Sequence, residues 1–217
     1  MFRIVITGAN RGIGLELARA RHEHNDIVAL VREPSDELRA LGARIIDGVD
    51  VTDQASVEAA AAELEDVDVL INNAGLLRSS SLAHLDWPSI EAQMQVDAFG
   101  PLRVSAALAP KIKDGGKIAI VTSRMGSLAD NTSGGAYGYR MSKCAVNMVA
   151  VSLSRDLASR GISVGLVHPG FVRTQMTGGN GHIDPDAAAA MIWERIDELD
   201  LENTGTFWHA NGEVLPW

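Results

Sequence analysis

The chain has 217 residues, 46% apolar and 22% charged, which suits one globular core and leaves too little for two domains of ordinary size. A net charge of −9 argues against general affinity for nucleic acid or an anionic membrane, while leaving room for a local basic pocket around Arg11 and Arg32. The lone cysteine, Cys144, excludes an internal disulfide, and no stretch approaches the ~20 apolar residues of a membrane span, so a cytoplasmic location is expected. The apolar run at the N-terminus has a strand's length, short of a signal peptide's core.

In chain order, short runs rich in Val and Ile fall at residues 3–7, 27–31, 43–46, 67–71, 117–122 and 162–167. They lack clean alternation, as strands buried on both faces do. Helical patterns lie between them at 12–22, 36–41, 55–64, 88–113 and 136–160. A last helix at 184–199 opens with Asp-Pro, and 204–208 reads as a closing strand. This alternation predicts a doubly wound α/β fold, with a mainly parallel seven-stranded sheet and helices on both faces. Residues 145–153 are apolar or small nearly all round, so burial against neighbours is expected there. The glycine-rich patches at Ser133-Gly-Gly and Thr177-Gly-Gly-Asn-Gly read as loops within a single domain over 1–217, the second inside a short substrate loop near 175–184.

Two motifs carry chemistry. Thr7-Gly-Ala-Asn-Arg-Gly-Ile-Gly14 places Gly8, Gly12 and Gly14 between the first strand and the first helix. Glycine there permits a tight turn and close approach of backbone to phosphate, while the helix N-terminus offers free N–H groups. Asn10, Arg11 and Ile13 belong to the same turn. The second strand ends at Val31 and is followed by Arg32, a residue type suited to the extra phosphate of NADP; Glu33 is the competing partner for a ribose. NADP(H) is therefore the expected cofactor. The second motif, Tyr139-Arg-Met-Ser-Lys143, sets a phenol and an ammonium four residues apart on one helix face.

Gly8/Gly12/Gly14, Asn72-Asn-Ala-Gly75, Ser123, Tyr139/Lys143 and Pro169-Gly170 occur in the order and approximate spacing of the short-chain dehydrogenase/reductase family, which the chain resembles over nearly its whole length. Ser-Arg-Met-Gly at 123–126 and the terminal Asn-Gly-Glu-Val-Leu-Pro-Trp most resemble the compact group that contains C-factor and the sniffer carbonyl reductase. The resemblance implies that Tyr139 gives the proton, that Lys143 holds the nicotinamide ribose and favours the phenolate, and that Ser123 binds the substrate oxygen. A neighbouring cation lowers a phenol's pKa. It also implies cofactor contacts from Asp50 and Val51, from Asn73, Ala74 and Gly75, and from Pro169, Gly170, Val172 and Thr174. Asn72, Asn73 and Gly75 have a plainer reading as stabilisers of their turn.

Asp97 departs from the pattern, standing where the family usually has an asparagine that completes its catalytic tetrad through a water bound to the main-chain carbonyl. A carboxylate can keep that backbone role while pairing with Lys143, so Asp97 is a fourth catalytic candidate. Tyr137 is followed four positions later by Met141 and reads as a pocket wall. Cys144 reads as a small core residue, His22 and His24 lack further ligands for a metal, and His168 lines the pocket or packs. Trp193, Trp208 and Trp217 read as tail packing or subunit contact. The expected activity is reduction of an aldehyde or ketone by NADPH, or the reverse, with a small-molecule substrate and a homodimer or homotetramer. The alternative is a nucleotide-binding regulatory or signalling protein with little turnover.

Overall fold

The computed structural model describes residues 1–217. Its strands are β1 (Arg3–Thr7), β2 (Asp26–Leu30), β3 (Arg44–Ile46), β4 (Val67–Asn72), β5 (Ile112–Val121), β6 (Ser163–His168) and β7 (Phe207–His209). All six pairings between them are parallel, in the order β3-β2-β1-β4-β5-β6-β7. The winding reverses between β1 and β4, so the connections leaving those two strands part and open a crevice at their carboxyl ends.

Alternate side chains along each strand feed two separate apolar layers. Val5, Val28, Leu70, Ile118 and Leu166 face one way, onto α3 (Gln54–Ala62), α5 (Gly100–Leu108) and α6 (Tyr137–Asp156). Ile4, Ile6, Ile27, Ile71 and Val167 face the other, onto α1 (Gly12–Arg21) and α7 (Pro185–Glu198). The short α2 (Asp36–Ala40) adds Leu38 to that second layer. Trp193 pins α7 to α1, its indole N–H donating to the Leu17 carbonyl at 3.1 Å. At the far end of α7, the Lys117 ammonium donates to the last carbonyls, Ile196 at 2.7 Å and Asp197 at 2.9 Å.

Four expected boundaries differ. The helix expected over 88–113 is divided into α4 (Trp87–Met94), a π turn at Gln95–Phe99, α5 and a 3₁₀ turn at Ala109–Lys111. Pro101 and Pro110 are the cause, since neither offers an N–H to continue the ladder. Consequently β5 starts at Ile112 rather than 117, and Lys113–Gly116 bulge between the Val67↔Ile112 and Val69↔Lys117 pairs. The closing strand begins at Phe207 because Gly205, at φ +80°, turns the chain just before it. The helical stretch expected to 160 leaves α-geometry after Asp156 and finishes in a 3₁₀ turn. On α6, Val146, Ala150 and Leu153 are buried, whereas Met148 is exposed, so residues 145–153 are not enclosed all round. No helix is long and apolar enough to cross a membrane, and no group of three or more His, Cys, Asp or Glu is placed to hold a metal ion.

His168, at the end of β6, packs edge-on against His209 of β7 with ring centroids 5.0 Å apart. Its Nδ1 is buried without a partner. Burial, helped by the charges of His209 and Arg124, pushes its pKa from 6.5 down to about 3. The folded protein thus holds a neutral imidazole where the unfolded chain takes up a proton.

Two outcomes are expected in urea unfolding. Trp193→Ala lowers the unfolding free energy by about 3–5 kcal/mol through the cavity it leaves, and Trp193→Phe by about 1 kcal/mol through the lost hydrogen bond. Stability falls as pH drops from 6.5 toward 3, with His168 contributing a slope of about 1.4 kcal/mol per pH unit. His168→Leu removes that contribution; an unchanged slope between pH 6.5 and 4.5 in the variant contradicts the assignment.

Candidate active site

A cleft of about 990 Å³ runs along the carboxyl ends of β1 to β6. At one end lies the glycine turn. Gly8 and Gly12 have φ of +68° and +55°, conformations that favour glycine. A Cβ on Gly14 would collide with the Gly8 carbonyl and with Asn73, so only glycine allows α1 to start so close to the strand end. Asn73 completes this junction, its amide donating to the carbonyls of Thr7 and Gly8, both at 3.1 Å. The plainer reading of Asn73, as a support for the turn, therefore holds beside its place on the cleft wall.

The first turn of α1 has no side-chain cap and no acidic residue. Arg11, at the N-cap position, instead donates to Gln175 Oε1 at 2.7 Å across the cleft. Arg32 stands beside Asp50, where burial of the carboxylate is outweighed by two bonds from Thr52 and by the arginine's charge, holding its pKa below the usual value. An uncapped helix N-terminus, a turn that only glycine can make and two arginines beside it fit a phosphate-bearing ligand.

At the other end, α6 brings Tyr139 and Lys143 to the cleft wall, with the ammonium 5.7 Å from the centre of the phenol ring. Lys143 is 5% exposed and donates to the Val121 carbonyl at the end of β5, at 3.1 Å. Ser123 lies two residues beyond that strand end and caps a 3₁₀ turn, accepting from the Met125 N–H at 3.2 Å. This turn can press against α6 because its last residue is Gly126: a Cβ there would fall 2.7 Å from the Lys143 carbonyl carbon. The Ser123 hydroxyl is near enough to the Tyr139 phenol to favour its charged form.

Burial raises the Tyr139 phenol above its ordinary pKa of 10, and the negative Asp97 adds to the rise. Lys143 and Ser123 pull the other way, as expected of the lysine, but do not reverse it. At neutral pH the group is a phenol with a proton to give.

Asp97 lies in the π turn, wholly buried behind the cleft wall. Its Oδ1 accepts from the Leu76 N–H at 2.7 Å, and its Oδ2 is 3.0 Å from Ser142 Oγ. Ser142 Oγ also lies 2.9 Å from the Tyr139 carbonyl. Burial pushes the Asp97 carboxyl up, against Lys143 and the two donors. Residue 101, which would normally donate to the Asp97 carbonyl in an α-helix, is proline.

Of the residues expected at the site, Gly8, Asn10, Arg11, Gly12, Ile13, Gly14, Arg32, Asp50, Val51, Asn73, Ala74, Gly75, Tyr139, Lys143, Pro169 and Thr174 line this cleft. Ser123, Asp97, Gly170 and Val172 do not. Gly170 (φ +89°) turns the chain out of β6, and a Cβ on it would meet Ile183 at 2.5 Å. Val172 is buried and bridges to Ile183, which ties down the base of the 175–184 loop. Reasoning from the sequence missed Arg78, Gln175 and Met176, which also line the cleft. Arg78 follows the Asn-Asn-Ala-Gly turn by three residues, a signal that was available; the Arg11–Gln175 contact joins residues far apart in the chain and left none.

Comparison with known proteins identifies the family and the fold. The family model described as short chain dehydrogenase matches residues 3–183. A 1-hydroxy-2-glutathionyl-2-methyl-3-butene dehydrogenase of Rhodococcus sp. is 40% identical, with all of both chains covered. C-signal of Myxococcus xanthus is 44% identical over 155 residues, covering 70% of this chain and 93% of that protein. Among solved structures, the Sniffer carbonyl reductase of D. melanogaster superposes with a TM-score of 0.93 at 26% identity over the whole of both chains. An NADPH-bound carbonyl reductase from chicken fatty liver superposes with a TM-score of 0.90 at 27% identity, over 99% of this chain and 98% of that one. The chain therefore belongs to the short-chain dehydrogenase/reductase family of oxidoreductases, with C-signal and sniffer-like carbonyl reductases among its relatives.

Proposed function

We propose that the protein interconverts an aldehyde or ketone with its alcohol using NADP(H), with Tyr139 as proton donor and acceptor. The carrying observation is the pairing of a neutral phenol with a buried ammonium at one end of a cleft whose other end is an uncapped helix N-terminus. NADPH bound in the cleft supplies the hydride. The N–H groups at the start of α1 and the Arg11 guanidinium hold phosphate, and Arg32 is placed for the additional phosphate that distinguishes NADP from NAD. Neighbours crystallised with NADPH or NADP support this choice, and the Rhodococcus dehydrogenase supports the reaction class.

In the reductive direction Tyr139 passes its proton to the carbonyl oxygen as negative charge develops there. Ser123 holds the same oxygen, and Lys143 stabilises the phenolate left behind. Asp97 acts from behind as a positioning residue, holding the Leu76 backbone and Ser142 beneath the tyrosine. The protein self-associates through α6, where Met148 is exposed; a monomer in sedimentation would overturn this part. The similarity to C-signal favours a second reading, a nucleotide-binding regulator with little turnover. The joint presence of Ser123, Tyr139 and Lys143 weighs against it.

NADPH absorbance followed against a panel of aldehydes and ketones tests the proposal. Tyr139→Phe lowers kcat by about 10²–10⁴-fold while NADPH fluorescence still reports binding. Because the reaction draws on a phenol of raised pKa, reduction holds its rate through neutral pH and alcohol oxidation rises toward alkaline pH. Tight NADPH binding with no turnover of any carbonyl would favour the regulator. Arg32→Ala raises KM for NADPH about tenfold and narrows the preference over NADH; equal or better use of NADH by the unaltered protein contradicts the cofactor assignment.

A further inference from the structure

The protein carries 28 carboxylates for 19 lysines and arginines, so its cations do not lack partners. Ten of the 19 form ion pairs: Arg3, Arg19, Arg21, Arg44, Lys111, Lys113, Arg124, Arg160, Arg173 and Arg195. The four that line the cleft, Arg11, Arg32, Arg78 and Lys143, belong to the other nine. Arg11 and Arg32 serve the phosphate end, and Lys143 serves the proton donor. Arg78 has no task in the reaction described above.

Its position is defined. The Arg78 backbone N–H donates to Gln93 Oε1 at 2.9 Å, and Gln93 is buried against Gly138, the residue before Tyr139, where a Cβ would meet its Nε2 at 2.5 Å. Two residues on, the Ser80 carbonyl accepts from the Ala136 N–H at 2.8 Å, just before α6 begins. The segment that bears Arg78 is thus tied at both points to the start of the tyrosine's own helix. Arg78 follows β4, whereas Arg11 follows β1 and Arg32 follows β2, so it stands on the Tyr139 side of the phosphate arginines. The guanidinium is exposed, and its protein bond is to the neighbouring Leu77 carbonyl at 3.1 Å.

We propose that Arg78 is an anion-recognition residue at the substrate end of the cleft, and that the carbonyl substrate carries a carboxylate. Among the residues that line the cleft, the other cation at that end is Lys143, which is buried beneath the tyrosine. A single planar guanidinium matches the one charge and two oxygens of a carboxylate, whereas a phosphate dianion calls for more positive charge. This inference rests on the reading of Tyr139 as proton donor.

The test compares 4-carboxybenzaldehyde with benzaldehyde as substrates of the NADPH-loaded protein. Alongside, calorimetry measures binding of 4-methylbenzoate and 4-methylbenzamide to the NADP⁺-loaded protein, in which the phosphate arginines are occupied. Expected is a preference of about tenfold or more for the carboxylated aldehyde, expressed in KM, with the benzoate binding more tightly than the amide by a similar factor. Arg78→Gln brings both ratios toward one, and Arg78→Lys keeps part of each. Turnover of benzaldehyde without preference, or a preference that survives Arg78→Gln, overturns the inference while leaving the proposed reaction intact. Benzoate binding that depends on Arg78 without turnover of either aldehyde supports the anion site and counts against the reaction. Neither binding nor turnover overturns both.

Discussion

The site is organised around one buried charge. A lysine ammonium is costly to bury unless its surroundings compensate, and Lys143 is 5% exposed. The protein supplies the Val121 carbonyl as a hydrogen-bond partner, with Asp97 acting through space. Only one of an ammonium's three donors is so engaged, and the residue lines the cleft. The neighbouring phenol feels that charge directly. Ser123 joins the pair because Gly126 lets its turn press on the Lys143 backbone. Gly138 likewise lets α6 settle on α4 and Gln93. Glycines that line no part of the substrate end therefore set the distances there.

Much of the fold could be read from the chain, because strands buried on both faces declare themselves as unbroken Val and Ile runs. The strand–helix alternation, the seven parallel strands and the glycine turn follow from that pattern. The longest expected helix failed where proline spoke against hydrophobic periodicity. Residues 88–113 repeat at a helical interval, yet Pro101 and Pro110 break the ladder into α, π, α and 3₁₀ segments. That interruption is what places Asp97, at the middle of the π turn, behind the reactive lysine.

The candidate site was legible in its types of residue more than in its geometry. Tyr139, Lys143 and the glycine turn line the cleft as their spacing suggested, whereas Gly170 and Val172 shape the wall from outside it. The lysine's influence on the phenol has the expected direction but not the expected dominance, because desolvation outweighs it. No sequence pattern reports how deeply a phenol is enclosed. The same holds for Arg78: its lack of a carboxylate partner is a property of the folded surface, on a chain whose overall charge is −9.

The coupling of Lys143 to Tyr139 can be read directly, because the chain contains only two tyrosines. In a Tyr137→Phe background the phenolate absorbance belongs to Tyr139 alone, and its alkaline titration can be followed with and without Lys143→Met. The unaltered pair is expected to titrate above 10, and removal of the lysine is expected to move the inflection higher still. An inflection that stays in place, or moves down, would contradict the claim that this buried ammonium favours loss of the active-site proton.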